Sequence, residues 1–371
     1  MPVFVLAPDS FKGTLTAKEV CDIFAGALLA RFPEAVIHAI PMADGGEGMA
    51  ENCLHLLGGQ RITRVVTGPQ GDPVKAIYGI LPDGTAVIEM AAAAGLPLVR
   101  GKNDILRATT RGVGELLLDA AAQGASSVIL GLGGSATNDC GLGMANVLGF
   151  TFTDRTGKSV PPLALHLGSI TAIRAPEHPF PLPVRAACDV KNPLLGANGA
   201  AAVFAPQKGA SPAEISLLED GAARFARTLN AFCGKDVVSL PGAGAAGGMG
   251  AAAIAFLQGE FLPGAALLLE AANFDGLLKD ADAVFTGEGR MDGQTRLGKV
   301  PYAVGMRCKE AGVPCYALCG SLGAEAEALS ACGITAMYAA SSEITDPETL
   351  RRRAADDLAA LALRVADTLS F

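Results

Sequence analysis

The stretch PVFVLAPDSFKGTLTAKEVCDIFAGALL, from Pro2 to Leu29, decides the fold class. Val3 to Ala7 is a short apolar run without alternation, as in a parallel strand covered on both faces. A polar loop, Pro8 to Leu15, follows. Thr16-Ala17-Lys18-Glu19 has the spacing of a capping box, in which hydroxyl and carboxylate satisfy two N-terminal N–H groups reciprocally. Val20, Ile23, Phe24, Ala27 and Leu28 then fall on one helical stripe. Strand, polar loop and capped amphipathic helix make a βα unit, the repeating part of a parallel sheet.

Working outward, Ala35 to Ile40 reads as a second strand. Near the other terminus, Ala283 to Phe285, Pro314 to Leu318 and Thr335 to Tyr338 read as strands with helices between them. A last helix runs from about Pro347 to Leu369, opened by Asp346-Pro347, an N-cap with Pro in the first turn. About five parallel strands drawn from both chain ends predict an α/β fold with an open doubly wound sheet. The middle differs. Ala76 to Ile80 and Ala86 to Met90 read as a hairpin across Leu81 to Thr85. Strands are expected at Ser127 to Leu130, Val184 to Ala187 and Val237 to Leu240. The expected organisation is one domain from residues 1–62 plus 281–371 and a second α/β domain inserted at 63–280.

The 371 residues are half hydrophobic, enough for a large core. A net charge of −8 argues against nucleic acid or an anionic membrane as partner. It does not oppose a phosphate ligand, because local backbone donors and a few cations decide that. The nine Cys include no CxxC pair and the four His lie outside the Gly-rich clusters, which points to reduced thiols, a cytoplasmic protein and chemistry without histidine. The N-terminus lacks a signal-peptide pattern, and the longest uncharged apolar run, Ala243 to Leu257, is too short to span a bilayer.

Ligands of open parallel sheets bind at the carboxyl ends of strands. Three polar loops fall there: PDSFKGT (Pro8–Thr14), ADGGEG (Ala43–Gly48) and TGEGRMDGQT (Thr286–Thr295). They bring Asp9, Asp44, Glu47, Glu288 and Asp292, with Lys12 and Arg290, to one sheet edge. Acids to hold Mg²⁺, glycines that admit a close backbone and cations to balance phosphate suit phosphoryl transfer. Any one loop alone also reads as an ordinary βα turn. The third runs into GQTRLGKV (Gly293–Val300), which has P-loop spacing but Val300 where a P-loop needs a hydroxyl for the metal.

The insert carries GLGGSATNDCG (Gly131–Gly141) and GAGAAGG (Gly242–Gly248). Both fit a dinucleotide fingerprint by spacing, which keeps an NAD(P)-dependent oxidoreductase of a small hydroxy acid as the alternative. The first reads better as a phosphate-cradling nest at a helix start, the second as tight backbone packing. In CDVKN, from Cys188, the carboxylate of Asp189, the cation of Lys191 and the amide of Asn192 stand close enough to orient a hydroxy acid, or to cap a turn.

Taken together, APDSFKGT, PMADGGEG, GGSATND, ACDVKNPLLGANGAAAVFAPQKGA, PGAGAAGGMG and TGEGRMDGQTRLGKVP resemble the type I glycerate kinase family. They occur in the family's order from residue 7 to 301, so the resemblance spans essentially the whole chain. It implies a flavodoxin-like domain built from both chain ends with a second α/β domain inserted. It implies transfer of the γ-phosphate of ATP to a hydroxyl of D-glycerate with Mg²⁺, 2-phosphoglycerate being the preferred product. A homodimer is the candidate assembly. On the matched positions, Lys12 and Arg290 are expected to bind the substrate carboxylate and the transferred phosphoryl group. Asp44, Glu288 and Asp292 are the metal candidates. Ser135, Thr137 and Asn138, with backbone at Gly134, are expected to hold nucleotide phosphate. Asp189 is the candidate base, with Asp9 second. Ser10, Gly45, Gly46, Lys191 and Asn192 complete the binding set. The chain departs from the family's pattern at Cys140 and Ala205, where the family often has glycine; a left-handed backbone at Cys140 would carry a strain that a glycine would not.

Overall fold

The computed structural model describes residues 1–11, 13–43, 48–340 and 346–370. The chain divides into two compact units, Met1–Asp44 with Pro263–Phe371, and Gly45–Leu262. The expected boundaries at 62/63 and 280/281 both lie downstream of this division. The reason at the first is pairing: Gln60–Thr67 runs antiparallel along the whole of Pro73–Ile80 and so belongs to the insert. The Glu89 carboxylate also accepts the N–H groups of Gly48 and Ala50, which ties the helix Met49–Leu57 to the same unit. At the second boundary, Glu260–Leu262 pairs with Val184–Ala187 and closes the insert.

The first unit holds a five-stranded sheet in the order Ala336–Ala339, Cys315–Cys319, Ala283–Thr286, Val3–Leu6, Val36–Ala39, every neighbouring pair parallel. This is the doubly wound sheet drawn from both chain ends. Its capping box forms as the residues dictate: Thr16 Oγ1 accepts Glu19 N–H at 3.2 Å, and the Glu19 carboxylate accepts Thr16 N–H at 2.8 Å. The helices Ala17–Arg31 and Pro347–Thr368 cover one sheet face, burying Val20, Phe24, Leu28, Leu358, Leu361 and Val365 against Phe4, Leu6 and Phe285. Each such side chain contributes about 1.5–3 kcal/mol by leaving water. Truncating Leu358 to Ala would cost about 2–5 kcal/mol.

The second unit is built on a mixed six-stranded sheet, Glu260–Leu262, Val184–Ala187, Ser127–Gly131, Thr85–Glu89, Pro73–Ile80, Gln60–Thr67. The first four are parallel to one another and the last two antiparallel, the expected hairpin included. Val237 to Leu240, expected as a strand, is a turn instead. Asp236 Oδ1 accepts N–H groups from Val238 and Ser239 and the Asn230 amide, so the backbone is satisfied locally without a sheet partner.

The GAGAAGG stretch supports packing. A Cβ on Gly244 would lie 2.1 Å from the Pro193 carbonyl oxygen, and one on Gly247 would lie 2.2 Å from that of Thr137. Gly247 is also left-handed, at φ 73°. These glycines bring the start of the helix Ala245–Phe256 against the backbone of residues 137–140, and Cys140 N–H donates to Gly247 O at 3.1 Å.

Candidate active site

At the first sheet, three loops are stitched together at the carboxyl ends of adjacent strands. Ala7 N–H donates to Phe285 O at 2.7 Å, Asp9 N–H to Gly287 O at 2.8 Å, and Met42 N–H to Pro8 O at 2.9 Å. The Thr286 hydroxyl donates to Ala7 O at 2.8 Å. Asp9 is 2% exposed, and its carboxylate accepts Ser10 N–H at 2.7 Å. Glu288 is 6% exposed and accepts from Thr295 Oγ1 at 2.6 Å and Lys299 Nζ at 3.0 Å. Asp292 caps the short turn Gly293–Leu297 through Gln294 N–H at 2.9 Å, and its other oxygen lies 3.6 Å from Arg290 Nε. Lys12, Asp44, Gly45, Gly46 and Glu47 lie outside the described residues.

GQTRLGKV is therefore a capped 3₁₀ turn leading into the helix Val300–Ala311, and its lysine is the counter-ion of Glu288. Among the described residues no group of three or more His, Cys, Asp or Glu is placed to hold a metal ion. With both Glu288 oxygens engaged, the described carboxylates do not fit Mg²⁺ in this arrangement.

The second unit builds a different kind of site. Ser127–Gly131 and Val184–Ala187 are adjacent parallel strands, so the loops that leave them, 132–141 and 188–199, start side by side; Leu132 N–H donates to Ala187 O at 3.1 Å. The first loop is pinned along residues 94–96 by Leu96 N–H to Gly134 O and Ala136 N–H to Ala94 O. Asp139, fully buried, anchors its far end. Its carboxylate accepts Thr110 N–H at 3.0 Å, Thr110 Oγ1 at 2.8 Å, Gly141 N–H at 3.1 Å and Gly143 N–H at 3.2 Å. Burial pushes its carboxyl above the usual range, against those hydrogen bonds.

Between the anchors lie Thr137, 0% exposed, and Asn138, 1% exposed. Thr137 Oγ1 and both polar atoms of the Asn138 amide have no hydrogen-bond partner among the described residues. Ser135 Oγ accepts from Lys208 Nζ at 2.8 Å, and the same ammonium donates to Thr137 O at 2.7 Å. Lys208 is 3% exposed, and burial pushes its pKa down to about 7, with the charge of Asp139 working the other way. Asn103 Nδ2 donates to Ala136 O and to Lys208 O, both at 2.9 Å, which fixes the loop and the lysine to each other.

On the neighbouring loop Asp189 is half-buried, Lys191 is exposed, and Asn192 Nδ2 donates to Asn198 O at 2.8 Å. Cys140 occupies the left-handed region at φ 51°, a strain of about 1–2 kcal/mol that a glycine would not carry. Ala205, at φ −69°, needs no glycine.

Neither fingerprint builds a dinucleotide site. After Ser127–Gly131 the next helix, Leu142–Val147, begins only beyond the whole 132–141 loop, so the nest expected at a helix start is an extended loop. The glycines of the second are spent on backbone contact. The residue-by-residue reading had missed Lys208, Asn103 and Asp139. Asp139 stood directly after Asn138, and Lys208 lay within a matched stretch, but burial is not visible in a motif.

Residues 4–370 match the family model described as the glycerate kinase family. The chain is 40% identical to glycerate 2-kinase of Escherichia coli over 99% of this chain and 98% of that one. It is 44% identical to glycerate kinase of Halalkalibacterium halodurans over 91% and 90% of the two chains. A crystal structure from Salmonella typhimurium, assigned as a glycerate kinase 2, superposes with a TM-score of 0.82 at 37% identity, covering 99% of this chain and 98% of that one. This chain belongs to the glycerate kinase family.

Proposed function

We propose that this protein is a D-glycerate kinase that transfers the γ-phosphate of ATP to the 2-hydroxyl, giving 2-phosphoglycerate and ADP. Membership over residues 4–370 supports the kinase, and the likeness to a glycerate 2-kinase supports the 2-phosphate. The observation that carries the placement of phosphate is the buried, unpartnered chemistry of Thr137 and Asn138. A buried polar group without a partner costs about 1–3 kcal/mol. Such groups are retained where a ligand completes their bonds.

Transfer needs alignment of the hydroxyl with the γ-phosphorus and stabilisation of the charge spread over the transferring group. In this reading Ser135, Thr137, Asn138 and the Gly134 backbone hold nucleotide phosphate. Lys12 and Arg290 bind the glycerate carboxylate and the moving phosphoryl group, beside Ser10, Gly45 and Gly46. Asp189 takes the hydroxyl proton, with Asp9 the second candidate, and Lys191 and Asn192 orient the acid. A Mg²⁺ bound with ATP would supply neutralisation of phosphate charge; of its expected carboxylates, Glu288 is engaged by Thr295 and Lys299 and Asp292 caps Gly293–Leu297, so neither is assigned to it, and Asp44 lies outside the described residues. Among the described residues no helix is long and apolar enough to cross a membrane, and all nine cysteines are free thiols, which supports a reducing, cytoplasmic setting. The homodimer is testable by light scattering.

Phosphorus NMR of the protein with ATP, Mg²⁺ and D-glycerate tests the reading. The expected product is a phosphomonoester doublet, split by one neighbouring C–H, with matching ADP. A triplet, split by a CH₂, would overturn the 2-phosphate. Intact ATP would overturn the acceptor.

A further inference from the structure

We propose that Lys208 is the cation of the phosphate seat in the second unit: its ammonium, held by Ser135 Oγ and the Thr137 carbonyl, is where an oxygen of the bound nucleotide's phosphate lands. This rests on the reading of Ser135–Asn138 as that seat.

Three observations carry it. First, buried charges in proteins are ordinarily paired with an opposite charge, because desolvation is otherwise uncompensated. The two partners of Lys208 Nζ are a hydroxyl and a carbonyl, both neutral. An ammonium has three donors, and two are accounted for. Second, the unpartnered atoms of Thr137 and Asn138 belong to the segment that Lys208 clasps, so a buried amine with neutral partners and buried groups with unmade hydrogen bonds meet in one segment. Asn103 bonds both halves, which sets the lysine's backbone against the loop. Third, the seat lies just beneath the surface. Gln207, Gly209 and Gly134 are exposed while Lys208 and Ser135 beside them are buried.

A lysine serving only as a loop staple would need no charge, since a neutral donor would hold a hydroxyl and a carbonyl equally well. A phosphate seat needs one, and the two roles separate by proton linkage. Among the described residues the charged side chain whose field reaches Lys208 is Asp139; Ser135, Thr137, Asn138 and Asn103 do not titrate. With a pKa near 7, Lys208 is mostly neutral at pH 8. An arriving phosphate favours the charged form, so binding draws a proton from solvent.

Calorimetric titration of the wild-type protein with ADP at pH 8, in two buffers of unlike protonation enthalpy, measures that uptake. The expected value is about one proton per ADP bound. Lys208→Met should abolish the uptake and lower kcat/KM for ATP by about 10- to 150-fold, the loss expected for a hydrogen bond to a charged group. KM for glycerate should hold to within about twofold. Proton uptake that Lys208→Met retains in full overturns the assignment, as does a folded Lys208→Met that keeps kcat/KM for ATP. If that variant fails to fold, the wild-type titration decides alone. ADP that does not bind at all overturns the seat. Proton-linked ADP binding without any phosphoglycerate overturns the acceptor reading and leaves Lys208 in place.

Discussion

The two sheets of this molecule each present polar loops at the carboxyl ends of their parallel strands, and they present them in opposite states. At the first, the described charged groups are satisfied by the protein itself: Glu288 by Lys299 and Thr295, Asp292 by Gln294 and Arg290, Asp9 by Ser10. At the second, small neutral side chains are buried with bonds unmade, and a lysine is buried beside neutral partners. Charge density marks where a sequence can do chemistry. Unmade bonds mark where a folded chain is waiting for a ligand. Among the described residues the first edge is satisfied by the protein itself; the second carries a cost that a bound ligand would offset.

That contrast can be broken by substitution. The largest effect is expected at Asp189. Asp189→Asn should lower kcat by about 10²–10⁴-fold with nucleotide affinity kept, the contribution of a positioned base. An unchanged kcat removes Asp189 from that role and passes it to Asp9. Next comes Asn138→Leu, which replaces an unpartnered buried amide by an apolar isostere. The urea midpoint should rise or hold, while kcat/KM for ATP falls by about 10- to 150-fold. A fall in stability would show that the amide has a protein partner, and the two regions would then not differ.

Glu288→Gln sharpens the other side. It leaves Lys299 without its counter-charge and should cost about 1–3 kcal/mol in urea unfolding. Lys299→Met in the same background should recover part of the loss, and the cycle isolates the pair. Additive losses would mean that the pair is not coupled. The last effect is a pH dependence. Lys208 has a folded-state pKa near 7 against 10.5 when unfolded, so between those values the unfolded chain binds the extra proton. Stability from this group therefore rises with pH across that window, by at most about 1.4 kcal/mol per pH unit, and is lowest below pH 7. Asp139 acts in the opposite sense: its raised carboxyl makes stability fall as pH rises from the unfolded carboxylate value through the folded one. Urea unfolding of wild type and Lys208→Met from pH 7 to 9 should show the wild type gaining stability relative to the variant as pH rises. Parallel curves would mean that Lys208 is charged and solvated after all.

Much of the fold was legible because it is local. The Val3–Leu6 strand, the Thr16–Glu19 box and the Asp346 cap are written in adjacent residues, and all five strands of the first sheet were placed within a residue or two. The insert's edges were misplaced because Gln60–Thr67 pairs with a strand whose hydrophobic pattern it does not share, its own run being broken by Arg61 and Arg64. Val237–Leu240 looked like a strand because apolar residues there are buried, yet Asp236 turns the backbone first. At the sites, spacing identified Ser135, Thr137 and Asn138 as a polar loop. It could not separate Glu288 as a metal ligand from Glu288 as the partner of Lys299, since both readings use the same residues. Lys208 was missed because its role comes from contact with residues far away along the chain, which no local pattern records.

The most direct test of the contrast is a crystal structure of the protein with ADP and Mg²⁺. The account predicts phosphate oxygens within hydrogen-bond distance of the Asn138 amide, the Thr137 hydroxyl and Lys208 Nζ, with the Glu288–Lys299 pair intact. Phosphates seated instead on Thr286–Lys299, with Lys299 released from Glu288 and the 135–138 loop empty, would contradict it.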